Sequence, residues 1–143
     1  MNISTRGVSG RPEMTAALKA QTGLDDDVLE CLVARFYEKA RQDPLLGPVF
    51  ARHVRDWEQH LERMSLFWSS VALMTGRYHG RPIEAHCGLG VAAEHFERWL
   101  ELFDETAEEI CPPAGAEHLT SKAQAMAKVI RARIGPQETG SSR

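Results

Sequence analysis

Apolar residues recur at helical spacing through most of this chain, and no stretch has the sustained alternation of a β-strand. The segment 54–74 is typical of this pattern. Its apolar side chains lie about one turn apart and share one helix face, which holds Trp57, Leu61, Met64 and Trp68. Proline and glycine separate the segment from its neighbours. The sequence therefore predicts an all-α fold.

Capping residues and helix breakers predict where the helices begin and end. Asp25 is a suitable N-cap, and Asp43-Pro44 stops the helix that follows it. Longer helices are predicted at 54–74, 92–110 and 116–134, a short first helix at 12–21, and single turns within 43–50 and 83–87. We expect one domain over 12–135, with flexible polar tails at 1–11 and 136–143. Two long antiparallel helix pairs around a short central segment would form it.

Composition excludes several classes of function. The chain has a net charge of −3 and no basic patch, so we expect no nucleic-acid partner. No apolar run approaches the ~18 residues of a membrane span, and no secretory signal is recognisable at the N-terminus. The three cysteines are widely spaced without a CxxC pair, which argues against a disulfide framework or a zinc knuckle. A cytoplasmic location is the expectation.

One histidine lies where a helix should bury apolar groups. His60 follows Trp57 and precedes Met64 by one turn each, on the same face. A histidine in this position is most often satisfied by a neighbouring carbonyl, or lies at the rim with its tip in water. Burying an imidazole without a partner would cost a few kcal/mol, so some group must receive it.

Three further side chains are candidates for a site. His86 lies in PIEAHCGLG, a short segment between glycine-rich loops, and a bond to a metal would hold such a segment in place. The alternative is that His86 only caps a loop. Tyr37 and Trp99 fall on predicted buried faces, and their polar tips require partners once buried. Such residues are usually plain core, but together with His60 they would bring three hydrogen-bonding groups to one pocket.

Four blocks in order resemble a known family. They are FYEKARQDPLLGPVF, DWEQHLERMSLFWSS, GRYHGRP followed by His86, and HFERWLELF. Together they resemble the truncated globins, specifically the third of their groups, over about 24–134. One departure is Leu89-Gly90, where family members commonly have a proline after the leucine. The resemblance implies a two-over-two helical sandwich that binds haem b, with the proximal helix reduced to a turn.

The resemblance also implies roles for individual residues. His86 matches the proximal histidine that ligates iron, and His60, Tyr37 and Trp99 match the residues around the bound gas. The expected contacts of the haem are apolar side chains of the pocket and its edge, namely Phe36, Phe50, Met64, Phe67 and Trp68. Arg77 and Tyr78 are in the position where cationic and phenolic groups meet the haem propionates.

Three functions are compatible with these residues. The favoured one is a protein that binds O₂, NO or CO at a haem iron. The second is a haem enzyme, peroxidase-like or NO-detoxifying, which would need a reductant or a reductase partner. The third is a helical interaction module without a cofactor. The absorption spectrum of the purified chain separates the third from the others, and turnover with peroxide or NO separates the first two.

Overall fold

The computed structural model describes residues 2–81 and 90–141, with side chains described for 12–81 and 90–133. This part of the chain forms helices and no strand, which confirms the all-α prediction. In chain order the helices are α1 (Asn2–Thr22), α2 (Asp26–Gln42), α3 (Gly47–His53), α4 (Trp57–Leu73), α5 (Ala93–Ile110) and α6 (Pro113–Ser141). The turn predicted at 83–87, with His86, lies outside the described residues.

Local side-chain bonds define the two helices that carry most candidate site residues. Asp25 caps α2 by accepting a hydrogen bond from the N–H of Val28 at 2.9 Å. Asp56 caps α4 in the same way, accepting from the N–H of Gln59 at 3.1 Å. Met74 closes α4 in the left-handed conformation, with φ of 58°. The cap at Asp25 was predicted, whereas α4 begins at Trp57 instead of Val54 because Asp56 is its cap.

The other helix limits also differ from the predictions. α1 begins at Asn2, ahead of the predicted 12–21, and α6 covers Pro113–Ser141 instead of 116–134. Pro113 suits the first position of a helix, since its missing N–H would be unpaired there in any case. Pro12 removes one backbone bond inside α1 without ending the helix. α3 is a seven-residue helix rather than a single turn. The domain limits at 12–135 stay a prediction.

The helices pack as two pairs, one on the other. α2 packs against α4, and α5 against α6, while α2–α5 and α4–α6 contacts join the pairs. α1 lies against α4 and α6, and α3 against α2. The fully buried side chains between them are mainly large and apolar, among them Leu24, Leu29, Leu32, Leu73, Phe103 and Leu119. None of the described helices is long and apolar enough to cross a bilayer.

Candidate haem pocket

Three aromatic rings from three helices meet around His60. The ring centroid of His60 lies 5.0 Å from that of Tyr37, 5.5 Å from that of Trp57 and 6.5 Å from that of Phe50. Tyr37 also contacts Phe50 at 5.3 Å and Trp57 at 5.7 Å. We call Tyr37, Phe50, Trp57 and His60 the distal cluster. Three of its six ring contacts are edge-to-face, an arrangement that aromatic quadrupoles favour, and the other three are tilted.

A buried carboxylate positions the helix that carries Phe50. Oδ2 of Asp43 accepts hydrogen bonds from the N–H groups of Leu45 and Leu46, at 3.0 and 2.9 Å, in the turn before α3. Its Oδ1 accepts a bond of 2.7 Å from Nε of Arg98 on α5. Burial alone would raise the pKa of Asp43, but the Leu46 and Leu45 donors and the Arg98 guanidinium lower it below its ordinary value. Asp43 therefore ties the corner between α2 and α3 to α5 as a charged group.

Three further rings lie nearly parallel beside the distal cluster. Trp99 stacks on Phe103 with centroids 5.0 Å apart and an interplanar angle of 7°. Trp68 stacks on Phe103 at 4.8 Å and 24°, and on Trp99 at 6.5 Å and 17°. We call Trp68, Trp99 and Phe103 the ring stack. Phe36 joins the two groups, since its ring lies 5.2 Å from Trp99 and 5.0 Å from Tyr37.

One polar atom of the distal cluster is buried without a hydrogen-bond partner among the described residues, namely Nε2 of His60. The neighbouring Tyr37, whose ring contacts His60, is buried and carries a hydroxyl. Each unpaired polar group in an apolar setting costs free energy that a polar ligand would recover. The common interpretation of His60, an imidazole satisfied by a neighbour, therefore does not hold for its Nε2.

The protonation of these two groups follows from their surroundings. Burial raises the pKa of the Tyr37 phenol well above its ordinary value, so the hydroxyl keeps its proton and stays a donor. Burial first, and the positive charge of Arg63 second, lower the pKa of His60. The imidazole is therefore neutral near pH 7. Its Nε2 donates or accepts according to the tautomer.

The far end of α4 leads towards the undescribed segment 82–89. Phe67 contacts Tyr78 with ring centroids 5.0 Å apart, and the N–H of Tyr78 donates to Oγ of Ser70 at 2.8 Å. Phe67 also contacts Trp68 at 5.2 Å, so the aromatic contacts run without a break from Tyr78 to His60. A cavity of about 360 Å³ opens here, lined by Ser70, Met74, Gly76, Tyr78 and His79.

The structure brings most of the predicted site residues together. The aromatic ones and His60 form the continuous network just described, and Met64 packs, partly buried, against the core. Arg77 is apart from them, because its guanidinium pairs with Asp26 on α2 at 2.9 Å. His86 lies outside the described residues, so its role stays a prediction.

Two residues of this network were not predicted to belong to the site. They are Trp57, which the sequence places on the apolar face of 54–74, and Phe103. The signal for Trp57 was its position one turn before His60 on the same face, and for Phe103 its position one turn after Trp99. Spacing alone gives the same signal for any core residue, which is why neither stood out.

Comparisons with known proteins agree with this geometry. A family model for the bacterial-like globins matches residues 20–132. A group 3 truncated haemoglobin of Campylobacter jejuni is 34% identical over 88 residues, covering 58% of this chain and 69% of that protein. The crystal structure of group III truncated haemoglobin from C. jejuni superposes with a TM-score of 0.72 at 30% identity, covering 77% of this chain and 91% of the other.

The helical sandwich and these matches define a haem-binding globin. The chain belongs to the bacterial-like globin family and, within it, to the group III truncated haemoglobins. Globins in general bind diatomic gases. The resemblance read from the sequence, and with it the two-over-two fold, is thereby confirmed.

Proposed function

We propose that this chain binds haem b through His86 and holds a diatomic gas, O₂ foremost, against Tyr37 and His60. The observation that carries the proposal is the buried, unpaired Nε2 of His60. The ring beside it, 5.0 Å away, is that of Tyr37, whose hydroxyl keeps its proton because burial raises its pKa. A small polar ligand that reaches both groups would give His60 Nε2 a partner and accept a hydrogen bond from Tyr37.

The apolar character of the side chains near the distal cluster suits a porphyrin. Phe36, Phe50, Met64, Phe67 and Trp68 are predicted to supply an apolar wall, and each is buried or packed against the core. An apolar wall excludes water and favours a large flat hydrophobic ring. When bound, haem would supply an iron atom that a histidine could ligate and that could bind a gas. We assign that histidine to His86, because it follows GRYHGRP as the family's proximal histidine does.

Arg77 and Tyr78 are proposed to meet the haem propionates. Tyr78 packs on Phe67, one of the proposed wall residues. Arg77 would have to exchange Asp26 for a propionate. The side chains of Arg77 and Asp26 are 51% and 38% exposed, and such exposed pairs contribute only about 0–1 kcal/mol. Their exchange is therefore energetically inexpensive.

Tyr37 is the principal donor to the ligand in this proposal. O₂ bound in a haem pocket gains partial negative charge, so a donor aimed at it forms a charge-assisted hydrogen bond of about 1.5–3 kcal/mol. The raised pKa of Tyr37 keeps that donor protonated over the physiological range. CO is less polarised and gains less from the same bond. The pocket should therefore favour O₂ and release it slowly.

His60 and Trp99 have secondary roles in the proposal. A neutral His60 can donate to the ligand from Nε2 in one tautomer or accept the Tyr37 proton in the other. Trp99 contacts Phe36 and not Tyr37, and its ring is stacked on Phe103. We propose that Trp99 contributes a weaker hydrogen bond than Tyr37 does.

The absorption spectrum of His86→Ala beside that of the parent chain tests the proposal. We expect the parent to bind haem and to bind CO in the ferrous state, and His86→Ala to lose haem, with added imidazole restoring the bound spectrum. His53→Ala, an exposed histidine on α3, is the matched control and should behave as the parent. A parent chain that takes up no haem, or a His86→Ala variant that holds haem as firmly as the parent, would overturn it.

A further inference from the structure

A cation covers the outer face of the distal cluster. Cζ of Arg41 lies 4.3 Å from the ring centroid of Trp57. Arg41 is exposed at the end of α2, whereas Trp57, the first residue of α4, is half-buried. Within the described part of the chain no carboxylate pairs with Arg41, so Trp57 is the contact that orients its guanidinium. A guanidinium this close to an indole face makes a cation–π interaction.

The same indole also packs against the other residues of the distal cluster. The ring of Trp57 lies 5.5 Å from His60, 5.7 Å from Tyr37 and 6.1 Å from Phe50. Every other member of the distal cluster therefore touches it. The same ring contacts Arg41 and also His60, the residue with the unpaired Nε2. Trp57 thus joins an exposed cation of α2 to the distal cluster at the place where α2 and α4 pack together.

We propose that the stacked pair Arg41 and Trp57 closes the α2–α4 side of the distal cluster and limits the rate at which gas reaches it. This inference rests on the proposed gas-binding function, and it concerns access and not the strength of ligand binding. A gas molecule crosses this side only when the indole turns away from His60 and Tyr37. That movement also separates the ring from the Arg41 guanidinium, so the cation holds the closed position.

The size of the effect follows from the strength of such a stack. An exposed cation–π interaction changes an equilibrium between closed and open positions roughly two- to fivefold. Removing the Arg41 side chain should therefore raise the rate of gas association by that factor. Replacing Arg41 by lysine keeps a cation on a flexible stem that can lie over the same ring, and should retain most of the closure.

Flash photolysis of the CO-loaded, haem-containing full chain tests this. We compare the parent with Arg41→Ala, Arg41→Lys and Arg52→Ala. Arg52 is an exposed arginine on α3, so its removal is a matched control for the loss of one surface charge near the pocket. We expect bimolecular CO association to be two- to fivefold faster in Arg41→Ala, closer to the parent in Arg41→Lys, and unchanged in Arg52→Ala.

A second measurement follows the indole itself. The CO-loaded ferrous chain is diamagnetic, so the Trp57 indole N–H signal can be observed by NMR and assigned by its loss in Trp57→Phe. We expect this signal to shift, and to exchange with water faster, in Arg41→Ala but not in Arg52→Ala. The inference is overturned if Arg41→Ala associates with CO at the parent rate, or if Arg52→Ala accelerates it equally. If the inference is overturned in either way but all variants keep the CO spectrum of the parent, the gas-binding proposal itself still holds.

Discussion

The distal cluster and the ring stack are neighbouring groups of aromatic side chains with opposite character. Trp68, Trp99 and Phe103 lie face to face, with interplanar angles between 7° and 24°. Around His60 the rings meet at 58° to 84° instead. Parallel rings cover one another's faces, whereas edge contacts leave faces open to something else.

The two groups also differ in their buried polar atoms. Nε2 of His60, in the distal cluster, is buried without a partner among the described residues, whereas no described atom of the ring stack is. Phe103, at the centre of the ring stack, is 1% exposed and wholly apolar. We therefore expect the ring stack to contribute mainly to packing and the distal cluster mainly to the proposed ligand binding. Substitutions that affect stability or ligand binding separately can test this difference.

The largest expected effect is on the ring stack. Phe103→Ala removes a buried ring that contacts Trp68, Trp99 and Phe36, and should lower the free energy of unfolding by about 3–5 kcal/mol. Phe50→Ala, at the half-buried ring of the distal cluster, should cost less. Urea unfolding followed by circular dichroism, at one fixed haem concentration, measures both. Equal losses would contradict a division between packing and ligand binding.

The next largest effect is on the distal cluster. Tyr37→Phe removes the proposed donor while keeping the ring, and should speed O₂ release roughly 10- to 100-fold, the equivalent of a hydrogen bond to a charged acceptor. CO release should change less, and stability should change little, because phenylalanine keeps the ring and its aromatic contacts. Stopped-flow release kinetics measure the rates. Trp99→Phe is the comparison, and we expect it to accelerate O₂ release less than Tyr37→Phe does. An unchanged O₂ release rate in Tyr37→Phe would show that Tyr37 is not the donor.

Local sequence signals predicted most of the helices. They did not predict the difference between the distal cluster and the ring stack. Asp25 predicted the start of α2 because a cap bond spans only three residues. Helical spacing put Trp57 and His60 on one face, yet it gave no means of telling that Trp57 faces a cation from α2. That contact joins two helices, and spacing within one helix carries no information about it.

The candidate site depended on the family resemblance for its composition. Nothing in the spacing of α2 and α4 brings Tyr37 to His60; their contact depends on how the two helices cross. The family motifs indicated that Tyr37 and His60 belong to one site, but only through the resemblance to the truncated globins. Asp43 was interpreted only as a helix stop, and its bond to Arg98 across 55 residues was beyond any local pattern. Long-range polar contacts of this kind were what the sequence could not provide.

Asp43→Asn tests whether the corner that supports the distal cluster depends on charge. The side chain of Asp43 is 3% exposed and that of Arg98 38%, so the pair is partly screened and we expect a loss of about 1 kcal/mol near pH 7. Because the folded pKa of Asp43 is lowered, its contribution is present above the unfolded value near 4 and disappears as pH falls through the folded value. Urea unfolding at pH 7 and pH 3 should show a smaller difference between parent and variant at pH 3. A difference of the same size at both pH values would assign it to shape instead of charge.

The smallest effect concerns the titration of His60. Its folded pKa is lowered, by burial first and Arg63 second, so the unfolded chain binds this proton more readily than the folded one. Stability should therefore fall as pH drops below the unfolded value near 6.5, until the folded pKa is passed. His60→Leu removes this contribution, so the variant should lose less stability than the parent between pH 7 and pH 5. His53→Ala, at an exposed position, should retain the parent's slope. If His60→Leu and the parent have the same pH dependence, the folded chain accommodates the charged imidazole as well as the neutral one. The distal cluster would then be more accessible to water than its aromatic contacts indicate.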